Sequence, residues 1–140
     1  DKFPKAKAQI ELVGACATLV AERFMQNKID ISRESATLVY GAIVSNTLNF
    51  QSSATTDRDR EVAEWLNQVA KLPESFWKDL FIAKSDLSGQ KLTERIEGDF
   101  AWFVMGDKKV GIAQIEMIGA KKLVDERGGE IVQVLEKIKK

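Results

Sequence analysis

The segment that follows Thr56 constrains the fold of this sequence more than any other. Thr56 and Asp59 stand at the spacing of a capping box, which marks the start of a helix. Apolar side chains then recur at the i, i+3, i+4, i+7 spacing of one helix face, at Val62, Trp65, Leu66 and Val69. We therefore predict a helix that begins after Thr56 and ends at Leu72-Pro73, with Trp65 in the core rather than serving as a ligand platform.

Length and charge bound the classes of protein to which the chain can belong. With 140 residues, 44% apolar and 30% charged, it can bury a core as one compact domain or as two small ones. The 21 basic residues balance the 21 acidic residues, so no net field attracts nucleic acid or an acidic membrane. We find no apolar run long enough to span a membrane and no signal peptide.

Two residue counts narrow the chemistry further. The sequence has no histidine, which excludes Ser-His-Asp and Cys-His nucleophile systems within this chain, and any metal site that needs imidazole. Chemistry here must use carboxylates, amides, Lys, Arg or groups supplied from elsewhere. The single cysteine, Cys16, permits no internal disulfide, and its Ala and Gly neighbours predict a small packed thiol in a reducing cytosol.

The first third of the chain is predicted to form one strand followed by helices. Gln9–Val13 is a candidate strand, which turns at Gly14 into a helix that runs to about Gln26. Small residues at the start of this helix, Ala15–Thr18, allow either close packing against the strand or the approach of an anion to free N–H groups. Ser32 is a good N-cap for the helix that follows.

The second helix, over about residues 33–48, ends in a polar cluster. The stretch Gly41–Phe50 is apolar in its first part and then carries Ser45, Asn46, Thr47 and Asn49. Helical spacing places Asn46 in line with Leu38 and Ala42 at the end of a buried face, where an unpaired polar group is costly. The cluster is either a helix C-terminus whose amides satisfy free carbonyls or the lip of a functional site.

The second half combines short helices with a hairpin. The patterns predict helices over Glu74–Lys84 and Gln90–Glu97, a hairpin of Asp99–Met105 with Lys108–Met117, and two helices flanking Gly128-Gly129. The first hairpin strand is apolar on both faces, so we expect it to lie inside a sheet, with other elements covering it. Helix-capping and proline signals near residues 72–74 predict a domain boundary there.

Several motifs resemble, in the right order, a known family. Three of them resemble the second half of the catalytic domain of DHH phosphoesterases: Leu12–Ala21, Gly41–Phe50 and Thr55–Asp57. Three later ones resemble the start of the accessory domain called DHHA2, namely Asp86–Ser88, Asp99–Phe103 and Val110–Glu116. That accessory domain is found in manganese-dependent inorganic pyrophosphatases and related exopolyphosphatases. The resemblance covers nearly the whole chain.

The resemblance implies both a fold and an activity. The expected fold is α/β and helix-rich, with the end of a doubly wound parallel-sheet domain over residues 1–72. The first part of a DHHA2-like α+β domain with a β-hairpin follows over 73–140. The implied parent is a cytoplasmic hydrolase of phosphoanhydride bonds, in which Mn²⁺ or Mg²⁺ ions held by Asp and His activate water. Its expected partners are pyrophosphate or polyphosphate, with no nucleic acid and no membrane; a homo-oligomer is left open.

Two departures from the family pattern shape the expected activity. The Asp-His-His signature is absent, as the zero histidine count requires, so the chain is expected to be an excerpt whose signature lies upstream. Asn46 stands where the family usually has a metal-binding Asp, in a Ser-Asp-Thr context, and its carboxamide offers an oxygen without charge. We therefore expect weakened metal binding and an inactive isolated chain. The alternative is a non-catalytic, phosphoesterase-like scaffold that has lost its metal site.

Three site positions are carried over from the family. Asn46 takes the metal-ligand position. Lys91, or Gln90 if the alignment shifts by one, lies near the family's phosphate-binding Lys, and Gln114 is expected to face the cleft. Plainer alternatives are a solvated helix charge for Lys91 and a hydrogen bond within the sheet for Gln114. No catalytic side chain is assigned, and Mn²⁺ or Mg²⁺ is a cofactor of the intact parent.

Overall fold

The computed structural model describes Lys5 and residues 7–88 and 91–139. In this part of the chain six helices and two strands follow one another: α1 (Cys16–Gln26), α2 (Arg33–Asn46), α3 (Asp57–Ala70), α4 (Phe76–Lys84), α5 (Lys91–Gly98), β1 (Phe100–Met105), β2 (Lys108–Ala113) and α6 (Ala120–Lys139). The result is a helix-rich α/β chain with an antiparallel hairpin, as predicted. None of the described helices is both long and apolar enough to cross a membrane.

The chain divides into two compact units, residues 1–80 and residues 81–140. The division falls within the sequence of α4. We call them the N-terminal unit and the C-terminal unit. The assignment of residues 1–72 to a catalytic domain and 73–140 to an accessory domain stays a prediction.

The N-terminal unit packs α1, α2 and α3 around an aliphatic core. Ile43 of α2 and Leu66 of α3 have no exposed surface. The apolar stripe of α3 supplies much of this core, because Val62 is also buried and Trp65 and Val69 pack against it half-buried. The prediction that Trp65 belongs to the core is confirmed.

Short-range polar signals mark where α2 and α3 begin. The Thr56 hydroxyl accepts from the Asp59 amide at 3.4 Å, and the Asp59 carboxylate accepts from the Thr56 amide at 2.7 Å, which completes the predicted capping box. The Ser32 hydroxyl caps α2 by accepting from the Ser35 amide at 3.1 Å. These ends agree with prediction because each one depends on residues a single helical turn apart.

The predicted strand at Gln9–Val13 is not formed. Residues 7–13 have no regular secondary structure, and Ile10 and Leu12 are 92% and 94% exposed. A strand needs a neighbour to take up its backbone N–H and C=O groups, and in the described sheet β1 and β2 pair only with each other. The segment is instead held through a side chain, because Glu11 forms an ion pair with Arg58 of α3 at 2.7 Å.

The predicted packed thiol is also wrong. Cys16 is the first residue of α1 and its side chain is exposed. The helical period turns Thr18 and Leu19 toward the interior, while position 16 faces outward. Ala15, just before the helix, is the small residue that is buried.

The C-terminal unit packs α5 and α6 around its own apolar cluster, formed by Leu87, Leu92, Ile96 and Val134. The hairpin pairs β1 with β2 in a register that joins Phe100 to Ala113 and Met105 to Lys108. Gly106 in the connecting turn has φ +65°, a conformation that glycine adopts without steric cost. The two predicted C-terminal helices are joined into α6, with non-helical angles at Arg127 marking the kink.

The expectation that β1 lies inside a sheet is not met. Its residues from Ala101 to Met105 are exposed, and the sheet has two strands in the described part of the chain. Apolar side chains on both faces of a strand need cover on both faces, and here the hairpin itself provides little. Phe100 and Trp102 meet edge to face at 5.1 Å between ring centroids, and the Lys109 ammonium lies 4.5 Å from the Trp102 ring centroid.

Leu66→Ala is expected to lower the free energy of unfolding by about 2–5 kcal/mol, because it removes a fully buried side chain and leaves a cavity. Gln68→Ala, at an exposed position of the same helix, is the matched control and should change stability by less than about 0.5 kcal/mol. Urea unfolding followed by circular dichroism measures both. Equal losses in the two variants would contradict the core described for the N-terminal unit.

Candidate functional site

A buried carboxylate joins three segments of the N-terminal unit. Asp59 has no exposed surface, and its two oxygens accept five hydrogen bonds. The donors are the amides of Gly14 (2.8 Å), Ala15 (3.2 Å) and Thr56 (2.7 Å) and the hydroxyls of Thr18 (2.5 Å) and Thr56 (2.7 Å). We call Asp59 and the four residues that donate to it the Asp59 cluster. Such bonds replace the hydration that a buried charge loses.

The Asp59 cluster answers an alternative that the sequence left open. The small residues before and within the start of α1 were predicted either to pack closely or to admit an anion. The amides of Gly14 and Ala15 do bind an anion, and it is the protein's own carboxylate. Close packing is present as well, because a Cβ on Gly14 would lie 2.8 Å from Thr47 Cγ2 and 3.0 Å from Asp59 Oδ2. A residue larger than glycine would therefore push these two segments apart.

The chain reverses sharply just after α2. Leu48, Asn49 and Phe50 have φ values of 50°, 52° and 63°, which are left-handed angles that cost a non-glycine residue about 1–2 kcal/mol each. Hydrogen bonds hold the turn: the Asn49 amide donates to the Val44 carbonyl at 2.8 Å, and the Phe50 amide donates to the Thr47 hydroxyl at 3.2 Å. Local strain of this kind persists only where the surroundings over-determine the conformation.

Arg60 supports the same turn from α3. Its guanidinium donates to the Phe50 carbonyl at 3.0 Å and lies 5.3 Å from the centroid of the Phe50 ring. The turn is therefore fastened on two sides, by the end of α2 and by α3.

Asn46 is the last residue of α2 and is exposed. The final carbonyls of the helix are satisfied largely by the backbone beyond it: the Thr47 amide donates to the Ile43 carbonyl at 2.9 Å, and the Thr47 hydroxyl donates to the same oxygen at 2.7 Å. Thr47 is fully buried, so it anchors the helix end while its neighbour Asn46 stays at the surface. We call residues 46–56 the lip.

The cluster sets the protonation of Asp59. Burial by itself raises the pKa of this carboxyl group, but the hydrogen bonds from Thr18, Thr56 and the Gly14 amide favour the charged form. The balance lowers the pKa of Asp59 from 3.8 to about 2. Asp59 is therefore an anion at neutral pH, and its oxygens are already occupied by donors.

The residues of this chain do not by themselves fit a site for paired divalent ions. Manganese and magnesium require several oxygen ligands, with charged carboxylates supplying most of the affinity. Within the described residues no group of three His, Cys, Asp or Glu side chains could hold a metal ion. The side chain of Asn46 carries no charge, and the oxygens of the Asp59 carboxylate are occupied by hydrogen bonds within the cluster.

Lys91 begins α5 in the C-terminal unit, and its ammonium group pairs with the carboxylate of Asp86. The hydrogen bond from Lys91, followed by one from the Ser88 amide, holds the pKa of Asp86 well below its usual range. Lys91 is half-exposed, so it is neither a free solvated charge nor a buried one. Gln90, the alternative position, lies outside the described residues.

Gln114 follows β2 directly. Its backbone amide donates to the Asp99 carbonyl at 3.2 Å, which adds one hydrogen bond to those between β1 and β2. Its side chain is exposed and donates to the Glu116 carboxylate at 3.4 Å. The hydrogen bond within the sheet that the plainer alternative assigned to the side chain is not seen: the side chain faces outward and bonds to Glu116, which lies beyond β2.

Lys91 and Gln114 line neighbouring cavities of the C-terminal unit. The cavity at Lys91 is about 280 Å³, the one at Gln114 is about 330 Å³, and Glu94 and Arg95 of α5 line both. Acidic groups match or outnumber basic ones in each lining: Asp86 and Glu94 against Lys91 and Arg95 in the first, and Glu94, Asp99 and Glu116 against Lys84 and Arg95 in the second. Neither cavity is by itself a strong anion site.

The Asp59 cluster is the feature that the sequence did not reveal. Asp59 was recognised as the acid of a capping box, and Gly14 only as a turn residue. The two are 45 residues apart, so no local pattern links them. The available signal was indirect, namely small residues at a helix start that would suit an anion.

Comparison with known proteins shows what the chain is similar to. Residues 78–140 match the family model described as the DHHA2 domain. The chain is 37% identical over 119 residues to a cobalt-dependent inorganic pyrophosphatase of Clostridium perfringens, covering 84% of this chain and 22% of that protein. It is 33% identical over 129 residues to the manganese-dependent inorganic pyrophosphatase of Bacillus subtilis, covering 91% of this chain and 41% of that protein.

A solved structure extends the likeness to three dimensions. The crystal structure from Methanococcus jannaschii assigned as a family II inorganic pyrophosphatase matches with a TM-score of 0.75 at 32% identity, covering 95% of this chain and 48% of that one. The chain thus spans less than half the length of each of these relatives.

Asp59 predicts a loss of stability in acid. Its folded pKa, about 2, lies below its ordinary value of 3.8, so the unfolded chain binds more protons between these values. The contribution of Asp59 to the free energy of unfolding, roughly 2 kcal/mol, is fully present above about pH 5. It is lost as the pH falls from about 4 through 2. Asp59→Asn should remove this part of the acid sensitivity, whereas Asp57→Asn, at an exposed position of the same turn, should retain it. Urea unfolding at pH 6 and pH 2.5 measures the difference; identical acid responses in wild type and Asp59→Asn would refute the prediction.

Proposed function

We propose that this chain, which carries a DHHA2 domain over residues 78–140 and is similar to family II inorganic pyrophosphatases, is part of a metal-dependent hydrolase of phosphoanhydride bonds. The observation that carries the proposal is the extent of the likeness. It covers 91% of the chain in one relative and 95% in the solved structure, and so includes sequence from both compact units rather than the accessory domain alone. The proposed substrate is pyrophosphate or a short polyphosphate.

The proposed cofactor is a divalent metal of the intact protein. Relatives are named for manganese and for cobalt, and Mg²⁺ is retained as a further candidate. When bound, paired ions of this kind supply an activated water and neutralise charge on the phosphoryl oxygens. This chain supplies one oxygen at Asn46 toward such a centre, and the remaining ligands would come from residues that this sequence does not contain.

The proposed role of the C-terminal unit is to contact phosphate oxygens. The Lys91 ammonium has three N–H groups, and its pairing with Asp86 leaves others to reach an anion. Gln114 offers a carboxamide at the neighbouring cavity. Because the linings are balanced in charge, these groups are proposed to orient a substrate whose affinity comes mainly from the metal ions.

A second function is favoured by one observation, the carboxamide at position 46. In this alternative the protein is a non-catalytic interaction module that keeps the phosphoesterase fold without its metal site. A cytoplasmic setting and the lack of nucleic-acid and membrane partners are predictions common to both functions, and both leave a homo-oligomer open.

Asn46→Asp in the intact protein distinguishes the two functions. For a weakened hydrolase, the added carboxylate should raise Mn²⁺ affinity about tenfold or more, since ligand charge tunes cation affinity over decades. Pyrophosphate hydrolysis should rise with it. Asn49→Asp adds the same charge three residues away in the adjoining turn and serves as control. Calorimetric titration with Mn²⁺ measures the affinity; no gain in Asn46→Asp over Asn49→Asp supports the scaffold.

The isolated 140-residue chain is expected to hydrolyse pyrophosphate no faster than buffer containing the same Mn²⁺, because it has no histidine and no described cluster of metal ligands. Phosphate release from the purified chain measures this. The Asn46→Ala variant of the same chain is the control. Hydrolysis by the chain that Asn46→Ala abolishes would show that a working centre forms within these residues, against the proposal.

A further inference from the structure

We propose that Asp59 is a positioning residue for the lip, holding the end of α2 and the Asn46 position against the start of α1. This inference rests on the function proposed above, because that function assigns the metal-ligand position to Asn46 in the lip. Asp59 makes no contact with a metal or substrate in this scheme. It acts through Gly14, whose amide donates to the carboxylate, and through Thr47, against which Gly14 packs.

The number and origin of the hydrogen bonds exceed what a helix cap needs. A capping box uses an acid to accept one hydrogen bond from the N-cap amide. Asp59 does this with Thr56, and also accepts from Gly14, Ala15 and Thr18, which are 41–45 residues earlier in the chain. Capping α3 does not require these three distant donors. They fix the start of α1 relative to the start of α3.

The same carboxylate reaches the lip through tight packing. A Cβ built on Gly14 would meet Asp59 Oδ2 at 3.0 Å, Thr47 Cγ2 at 2.8 Å and the Ala54 carbonyl at 3.3 Å. Gly14 therefore lies between the carboxylate and two points of the lip. A shift of Gly14 away from Asp59 would therefore change its contact with Thr47.

Thr47 passes this placement to Asn46 and to the turn. It is fully buried, its hydroxyl donates to the Ile43 carbonyl at 2.7 Å and accepts from the Phe50 amide at 3.2 Å. Its carbonyl accepts from the Ser52 amide at 2.9 Å. The left-handed turn is thus held at Thr47, and Thr47 is held in place by Gly14. Removing the carboxylate should loosen this series of contacts at its origin.

The variants separate positioning from ordinary stabilisation. Asp59→Asn keeps the shape of the side chain but replaces an acceptor with a donor facing other donors. Asp57→Asn removes a carboxylate from the same first turn of α3, outside the cluster, and so controls for the charge at the helix start. Thr18→Val deletes one donor and Thr18→Ser retains it. If Asp59→Asn fails to fold, these two Thr18 variants test the positioning role instead.

Two measurements are made on the intact protein at a temperature where circular dichroism shows each variant folded. Amide hydrogen exchange reports the lip directly: protection of residues 47–56 should fall about tenfold in Asp59→Asn and less in Thr18→Val. Asp57→Asn and Thr18→Ser should stay near wild type. In an Asn46→Asp background, Mn²⁺ affinity should fall about tenfold with Asp59→Asn, the range expected when the support of a ligand is removed.

The outcomes distinguish the two proposals. If Asn46→Asp gains no Mn²⁺ affinity, the proposed function fails, and hydrogen exchange alone then decides whether Asp59 positions the lip. Unchanged protection of residues 47–56 in Asp59→Asn and Thr18→Val overturns the positioning role. Where Asn46→Asp does gain Mn²⁺ affinity, an unchanged affinity after Asp59→Asn is added also overturns it, since a purely stabilising residue would lower protection throughout the N-terminal unit and leave the Mn²⁺ affinity of the folded protein unchanged.

Discussion

A carboxylate with no exposed surface is stable only where hydrogen bonds replace the water it has lost, and Asp59 obtains its bonds from two places in the chain, residues 14–18 and Thr56. The start of α1, the loop before α3 and α3 itself converge on this one group. Gly14 then brings Thr47, and with it the end of α2, against the same point. The apolar core holds the three helices together, and the carboxylate determines how their ends meet.

The charges of the protein are consistent with a site that depends on added cations. The net charge is zero, and three cations of the C-terminal unit that lie near the two cavities or beside α5 have carboxylate partners: Lys91 with Asp86, Lys84 with Glu116, and Arg127 with Glu130. Paired side chains attract a polyanion weakly. Under the proposed function, most of the affinity for a phosphoanhydride substrate would therefore come from bound metal, which makes the neutral Asn46 consequential.

Where the prediction of helices succeeded, the interactions join residues about one helical turn apart. The capping box at Thr56, the Ser32 cap and the stripe around Leu66 all depend on residues that are neighbours because of helical geometry. Where prediction failed, the sequence did not show which element would pair with the segment or cover it. Gln9–Val13 has the composition of a strand but no strand pairs with it in the described chain, and β1 has two apolar faces without cover.

The amino-acid sequence by itself determined the helices, their caps, the hairpin, the absence of imidazole chemistry and the family resemblance. It also singled out Asn46, since only the residue type is needed to see that a charge is missing. Tertiary structure alone decided that Asp59 is buried, that Gly14 and Thr18 donate to it, and that Lys91 is paired with Asp86. The physical reason is distance along the chain: hydrogen bonds across 41–45 residues follow from how helices pack, and no short pattern records that packing.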